Sequence, residues 1–443
     1  MTQALYDATS PQSILEFARS LSGKTLAEAI DMSQVTENTR NKGDLGKMVE
    51  KYYYRVKTDD TTHLPDFPEA SVELKTTGVL QRKDGGYRAK ERLVLTMIDY
   101  MSVVDEKWRT SSFMEKCRLM LILFYLYDKE LSVFDRRFVL HPILFEFPEE
   151  DVEIIKRDWE TIRQKIEDGK AHELSEGDTY YLGACRKGSG GSKEKLRQQP
   201  NSDIPAKSRA FSLKQSYMNR IIDGRAERVG ALDVTATITI EQATQNKFKP
   251  YLGKTVDEIS HLLNFHKNGK NDKGFYRNLT MRILGGTRRT VPELDKAGVE
   301  LKTVRVNKDW KPAEAMSFPA FTYMGIVSQD WEGSSFFGKI EQKFLFVIFR
   351  EDENGDLRLE KVNYWNMPYL DREEARRVWE DTKRRVAIDA NDLPRSTESR
   401  VAHVRPKAKN AQDTLPTPQG TRLIKKCFWL NKSYVGEVVR TFT

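Results

Sequence analysis

The sequence predicts a mixed α/β protein made of two tandem copies of one unit, each a central mixed sheet flanked by helices. Three observations predict it. The chain repeats itself in order, each repeat alternates short apolar strands with amphipathic helical stretches, and 443 residues exceed what one ordinary core holds. At about 150 to 250 residues per domain the length suggests two or three domains, and the repeat selects two. Hydrophobic residues make up 39% of the chain, enough for packed cores despite a mean hydropathy of −0.62.

The first element is a helix, with Ser10-Pro11 as cap and first position and Ile14, Leu15, Phe17, Ala18 and Leu21 at helical spacing. Ser22-Gly23-Lys24-Thr25 ends like a phosphate-binding loop, but Ala18 stands where that loop needs its first glycine, so it reads as a turn between helices. Strands follow over 72–76 and 119–127, then a helix over 148–169 whose Ile154, Ile155, Trp159, Ile162 and Ile166 form one stripe. Gly188-Ser189-Gly190-Gly191-Ser192 is a loop. The alternating stretch 234–240 reads as a strand inside a connector, placing the two units at 1–225 and 245–443 with 226–244 between them.

The repeat rests on matches in constant order. Ala70-Ser71-Val72-Glu73-Leu74-Lys75-Thr76 returns as Ala297-Gly298-Val299-Glu300-Leu301-Lys302-Thr303, identical except at Ser71. Trp108-x2-Ser-Ser-Phe-x2-Lys116 returns as Trp331-x2-Ser-Ser-Phe-x2-Lys339, and Trp159-Glu160 as Trp379-Glu380. Phe211-x-Leu213-x2-Ser216-Tyr217 returns as Phe428-x-Leu430-x2-Ser433-Tyr434. The tryptophans of the second pair read as core.

The strand around Val72 carries the chemistry. With a period of two, Val72 and Leu74 face one side while Glu73 and Lys75 share the other. Asp66, seven residues earlier, is close enough to converge with Glu73 on a hard cation such as Mg²⁺, which takes oxygen ligands. A lysine beside such a cation is the equipment for phosphodiester hydrolysis. Alone, this Asp-x6-Glu-x-Lys pattern is weak, since solvated strand faces carry the same residues.

The wider set resembles the MutH mismatch-repair nicking endonuclease and the related type II restriction endonucleases that cut at GATC, members of the PD-(D/E)XK nucleases. The resemblance runs through Gly43-x2-Gly46-x3-Glu50, Asp66 with Glu73-Leu74-Lys75-Thr76, Lys116, Trp159-Glu160, Arg186-Lys187 and Phe211-x-Leu213-Lys214. It implies two restriction-endonuclease-like domains forming a pseudo-dimer. Glu50, Asp66 and Glu73, with the Leu74 carbonyl, would be metal ligands, Lys75 the catalytic lysine and Lys116 a second lysine near the scissile phosphate. Lys42, Arg186, Lys187, Lys214 and Tyr217 in the first half, and Arg405, Lys407, Lys432 and Tyr434 in the second, would meet DNA. The implied activity is Mg²⁺-dependent cleavage of duplex DNA at 5′-GATC-3′.

The second copy departs at the metal positions. Glu293 stands where Asp66 stands and Met281 near the place of Glu50, while Glu300 and Lys302 remain. A thioether supplies no oxygen ligand. We therefore expect an inactive copy that binds a second DNA site as an effector, in a complex with two sites or a homodimer on DNA.

Charge agrees. The chain is +8 overall with a pI near 9.0, yet Arg186–Arg220 carries nine basic residues against two acidic and Arg405–Lys432 seven against one. Such segments suit phosphate contacts and argue against acidic protein substrates. Three widely spaced cysteines argue against a disulfide framework, and six histidines with no cysteine near their closest pair argue against zinc. No apolar run reaches membrane length and no basic leader opens the chain, so a bacterial cytoplasmic protein is expected. The alternatives are a MutH-like nickase and a non-cutting DNA-binding regulator.

Overall fold

The strand Glu73–Gln81 runs parallel to Leu119–Leu126, with Lys75 opposite Ile122, and this pair is the centre of the first half's architecture. The computed structural model describes residues 5–36, 44–56, 64–188, 196–224, 231–267, 274–286 and 290–442; Lys42, Gly43 and residues 189–192 of the glycine loop lie outside them. Antiparallel neighbours complete a four-stranded sheet in the order Tyr87–Ala89, Glu73–Gln81, Leu119–Leu126, Ile143–Glu146. A parallel pair needs a long crossover. Here the crossover carries the strand Leu93–Met97, which joins Arg209–Leu213 and Leu182–Arg186 in a second, three-stranded sheet.

The second half repeats the plan. Glu300–Val306 runs parallel to Phe344–Glu351, which pairs antiparallel with Leu357–Trp365. Met316–Ala320, Lys426–Leu430 and Ala402–Pro406 form its three-stranded sheet. The repeated residues do the same work in both places. Trp159 meets Trp108 at 5.9 Å and Trp379 meets Trp331 at 5.8 Å between ring centroids, all within the cores or packed against them.

Helix Pro11–Arg19 has Ser10 as its cap, and its Ile14, Leu15 and Ala18 lie with Val72, Leu74, Leu121 and Leu123 on one face of the sheet. The turn after it is as expected. Gly23 takes φ +80, and Thr25 caps the next helix, Leu26–Ala29, with Glu28 reciprocating. Met120, Ile122 and Phe124 face the other way, toward helix Glu149–Glu167, whose whole apolar stripe is buried. The same core continues through Tyr181 and Tyr217 to Phe248, Leu279, Leu294 and Leu345, so the two halves share apolar interior.

The connector departs from expectation. Residues 231–239 form no strand, and a helix, Ile240–Phe248, starts at the Thr239 cap. The carbonyls that would pair in a sheet accept instead from Arg157, at 2.9 Å to Thr235, 2.5 Å to Ala236 and 3.3 Å to Ile238. At its near end, the amides of Ala231 and Leu232 donate to Glu293.

Polar joints also cross between the halves. Lys296 Nζ donates to both oxygens of Asp151, at 2.8 and 2.7 Å, with 4% and 2% of the two side chains exposed. Arg220 pairs with Asp295 at 2.9 Å, and Ser216 donates to the Lys296 carbonyl. Cys117, Cys185 and Cys427 are buried and free, and among the described residues no helix is long and apolar enough to cross a membrane.

Candidate active site

Four of the five expected catalytic residues converge where the parallel pair begins. Phe67 and Val72 close a tight reversal, with the Phe67 amide donating to the Val72 carbonyl at 2.9 Å and the Val72 amide returning at 3.2 Å. That reversal brings Asp66 back onto the strand. The Asp66 amide donates to Glu73 Oε2 at 3.2 Å, and Asp66 Oδ2 accepts from the Leu74 amide at 2.8 Å. In an extended strand the N–H and C=O of one residue point to the same edge, so the Leu74 carbonyl lies on the Asp66 side, away from the Leu119 strand.

Glu73 is 2% exposed and is flanked by two cations. Lys75 Nζ donates to Glu73 Oε1 at 2.6 Å, and Lys116 Nζ stands 3.6 Å from the same oxygen. Burial pushes the Glu73 carboxyl up, against the pull of Lys75 and Lys116. For Lys75, burial works to lower the ammonium, but the adjoining Glu73 carboxylate and its other neighbours together outweigh it and the group ends raised. Lys116 comes from helix Ser112–Cys117, capped by Ser111, which explains why Ser-Ser-Phe precedes it. Behind the lysines the Cys117 thiol is pushed by burial up to about 12 and stays neutral.

Glu50 comes from a separate element. It lies on the π-helical turn Val49–Tyr54 that follows helix Asp44–Met48. Gly46 lets that helix approach the strand, since a Cβ there would meet Thr76 Oγ1 at 3.2 Å and Glu50 Oε1 at 3.8 Å. Glu50 Oε1 and Thr76 Oγ1 thus both lie near Gly46, and among the described residues no three carboxylate, histidine or cysteine side chains stand close enough to share one metal ion. Asp66, Glu73 and the Leu74 carbonyl fit a hard cation that takes one or two carboxylates and keeps water and phosphate in its other positions. A buried carboxylate with its charge disfavoured is also one that a cation stabilises.

The expected DNA contacts divide. Arg405 and Lys432 are exposed, the Arg405 guanidinium lying 4.5 Å over the Trp429 ring. Lys407 Nζ donates to the Phe318 carbonyl at 2.7 Å. Lys187 is half-buried, and Arg186 is paired across the halves with Glu332 at 3.1 Å and Glu341 at 3.4 Å, in a cleft that also holds Thr76, Arg92 and Lys207. Lys42 lies outside the described residues.

Lys214, Tyr217 and Tyr434 are not surface groups. Lys214 is buried and donates to the Glu176 and Thr179 carbonyls, and desolvation pulls its ammonium down to about 8. The Tyr217 hydroxyl donates to Asp151 at 2.8 Å and the Tyr434 hydroxyl to Asp371 at 2.8 Å, each carboxylate in the first turn of its long helix. The repeated Phe-x-Leu-x2-Ser-Tyr motif is a pin between sheet and helix. Tyr217→Phe is expected to cost about 2 kcal/mol of unfolding free energy, the scale of a hydrogen bond to a charged group, with DNA affinity unchanged. Urea denaturation beside a filter-binding titration checks this; a folded variant with weakened DNA binding returns Tyr217 to the DNA.

In the second half Glu300 keeps its two lysines, Lys302 at 3.5 Å and Lys339 in a direct hydrogen bond. The carboxylate opposite has gone elsewhere. Glu293 is buried and accepts from the connector amides of Ala231 and Leu232. The one mismatch in the repeated heptapeptide, Ser71 against Gly298, falls in both halves on a left-handed residue.

Both halves therefore present one plan, a parallel strand pair with a Glu-x-Lys on the first strand and a lysine from the helix before the second. Residues 56–158 and 287–381 each match the family model described as DNA mismatch repair enzyme MutH. The type II restriction enzyme Sau3AI of Staphylococcus aureus is 32% identical over 95% of this chain and 92% of its own length. The MutH proteins of Pectobacterium atrosepticum and Shewanella woodyi are each 26% identical, covering 45% and 48% of this chain and 90% and 92% of their own lengths. The class is a tandem MutH-like nuclease fold. The chain belongs to the MutH-like family of type II restriction enzymes.

Proposed function

We propose that the chain is a Mg²⁺-dependent endonuclease that hydrolyses duplex DNA at 5′-GATC-3′ and leaves 5′-phosphates. The observation that carries this reading is the interlocked Asp66–Glu73 pair with Lys75 and Lys116 on one oxygen of it, in a chain similar to a type II restriction enzyme along nearly its whole length. Asp66, Glu73 and the Leu74 carbonyl, with Glu50 from the neighbouring helical turn, would hold the cation, which supplies neutralisation of charge on the phosphate and acidification of water. Lys75, hydrogen-bonded to Glu73 Oε1 at 2.6 Å, stands beside the cation site, where it activates or orients the attacking water. Lys116 donates to the phosphate oxygens as charge builds on them.

Residues 1–225 form the cutting unit in this reading, and 245–443, joined through 226–244, bind a second site as an effector through Arg405, Lys407 and Lys432. Effector binding shifts the first unit only if the second site is bound more tightly in one of two states. The displaced Glu293 carboxylate supports an effector role over a second cutting site. Supercoiled plasmid with several GATC sites, incubated with Mg²⁺, is expected to become linear and then fragment, with 5′-phosphorylated ends at GATC by end sequencing. A product that stops at the open circle selects the MutH-like nickase instead.

A further inference from the structure

Ser71 takes a left-handed backbone conformation, φ +53, in the reversal between Asp66 and Glu73. Residues with a Cβ adopt it rarely, and such outliers gather at functional sites. Gly298 holds the same place at φ +64, so the two halves require one conformation although only one has glycine there. The Ser71 side chain is exposed, and thus no core contact enforces the strain. The turn is closed by the Ser71 amide donating to the Pro68 carbonyl at 3.1 Å and by the paired Phe67 and Val72. Directly beyond it, the Asp66 amide reaches Glu73 and the Leu74 amide reaches Asp66.

We propose that Ser71 is a positioning residue for the cation site, its left-handed turn setting the Asp66 and Glu73 carboxylates against each other. The inference rests on reading those two carboxylates as cation ligands. A substitution that disfavours the turn lowers the fraction of molecules with both carboxylates in place, and cation affinity falls by that fraction.

The test titrates Mn²⁺ into the full chain without DNA, following the free-ion electron paramagnetic resonance signal, with thermal unfolding recorded beside it. Ser71→Gly and Ser71→Asn, residues that tolerate this region, are expected to bind within about twofold of wild type. Ser71→Val, β-branched and a genuine outlier there, is expected to bind about tenfold or more weakly with little change in melting temperature. Wild-type affinity in a folded Ser71→Val overturns the proposal. If that variant does not fold, Ser71→Thr takes its place with the same expected loss. Failure of both to fold, with the Gly and Asn variants normal, makes the turn structural only and overturns it equally. Asp66→Asn separates the two levels: Mn²⁺ binding unaffected there sinks the ligand reading, whereas binding lost there but kept in Ser71→Val sinks only the role of Ser71.

Discussion

Asp66→Asn is expected to reduce DNA cleavage by about a thousandfold or more, since a cation holding the phosphate contributes several kcal/mol and each 1.36 kcal/mol is tenfold in rate. The amide keeps an oxygen that accepts from the Leu74 amide, so the fold should survive and the loss should fall on kcat. Lys75→Met should cost about 10²- to 10⁴-fold, the range for a group that handles the proton of the nucleophile. It also removes the nearer of the two cations beside the buried Glu73, leaving Lys116 at 3.6 Å. Single-turnover cleavage of a GATC duplex at saturating enzyme measures both. Either variant cutting within tenfold of wild type removes that residue from the chemistry.

Much of this was legible in the sequence because the repeat carries side-chain pattern and order together. The period of two correctly put Val72 and Leu74 into the core and Glu73 and Lys75 on one face, and the Ser-Ser-Phe before Lys116 proved to be a helix cap. The connector misled because Val-Thr-Ala-Thr-Ile alternates like a strand, while its carbonyls are claimed by Arg157, which lies 78 residues from Thr235 in sequence. Tyr217 and Tyr434 read as DNA contacts because they sit within or beside basic segments. Their hydroxyls instead hold carboxylates 66 and 63 residues away, pairings that spacing does not reveal. The signal for Ser71 was present as the single mismatch in the heptapeptide, because glycine opposite a serine marks a position where backbone conformation matters more than side chain.

Lys296→Met is expected to destabilise the protein by about 3 to 5 kcal/mol, the cost of leaving one member of a buried ion pair without its partner. The two halves explain why. In the second, Asp371 receives the Tyr434 hydroxyl and Arg400 from its own half. In the first, Asp151 receives the Tyr217 hydroxyl, but its cation is Lys296 from the other half. The first half is thus electrostatically incomplete by itself, and residues 1–225 expressed alone should share the defect. The pH dependence has a definite sign. Burial already raises the Asp151 carboxyl, with Lys296 the chief opposing influence, so losing Lys296 raises it further. The folded variant then binds more protons than the unfolded chain above the ordinary Asp value of 3.8, and its stability falls as pH rises from there toward neutrality. Asp151→Asn in the Lys296→Met background removes the stranded charge and should recover more than half of the loss. Urea unfolding of the wild type, both single variants and the double variant, at pH 5 and pH 7.5, measures the coupling. A cycle with no interaction energy at either pH would show that the joint is held by the shared apolar core through Tyr181, Tyr217 and Leu294, with the ion pair contributing nothing.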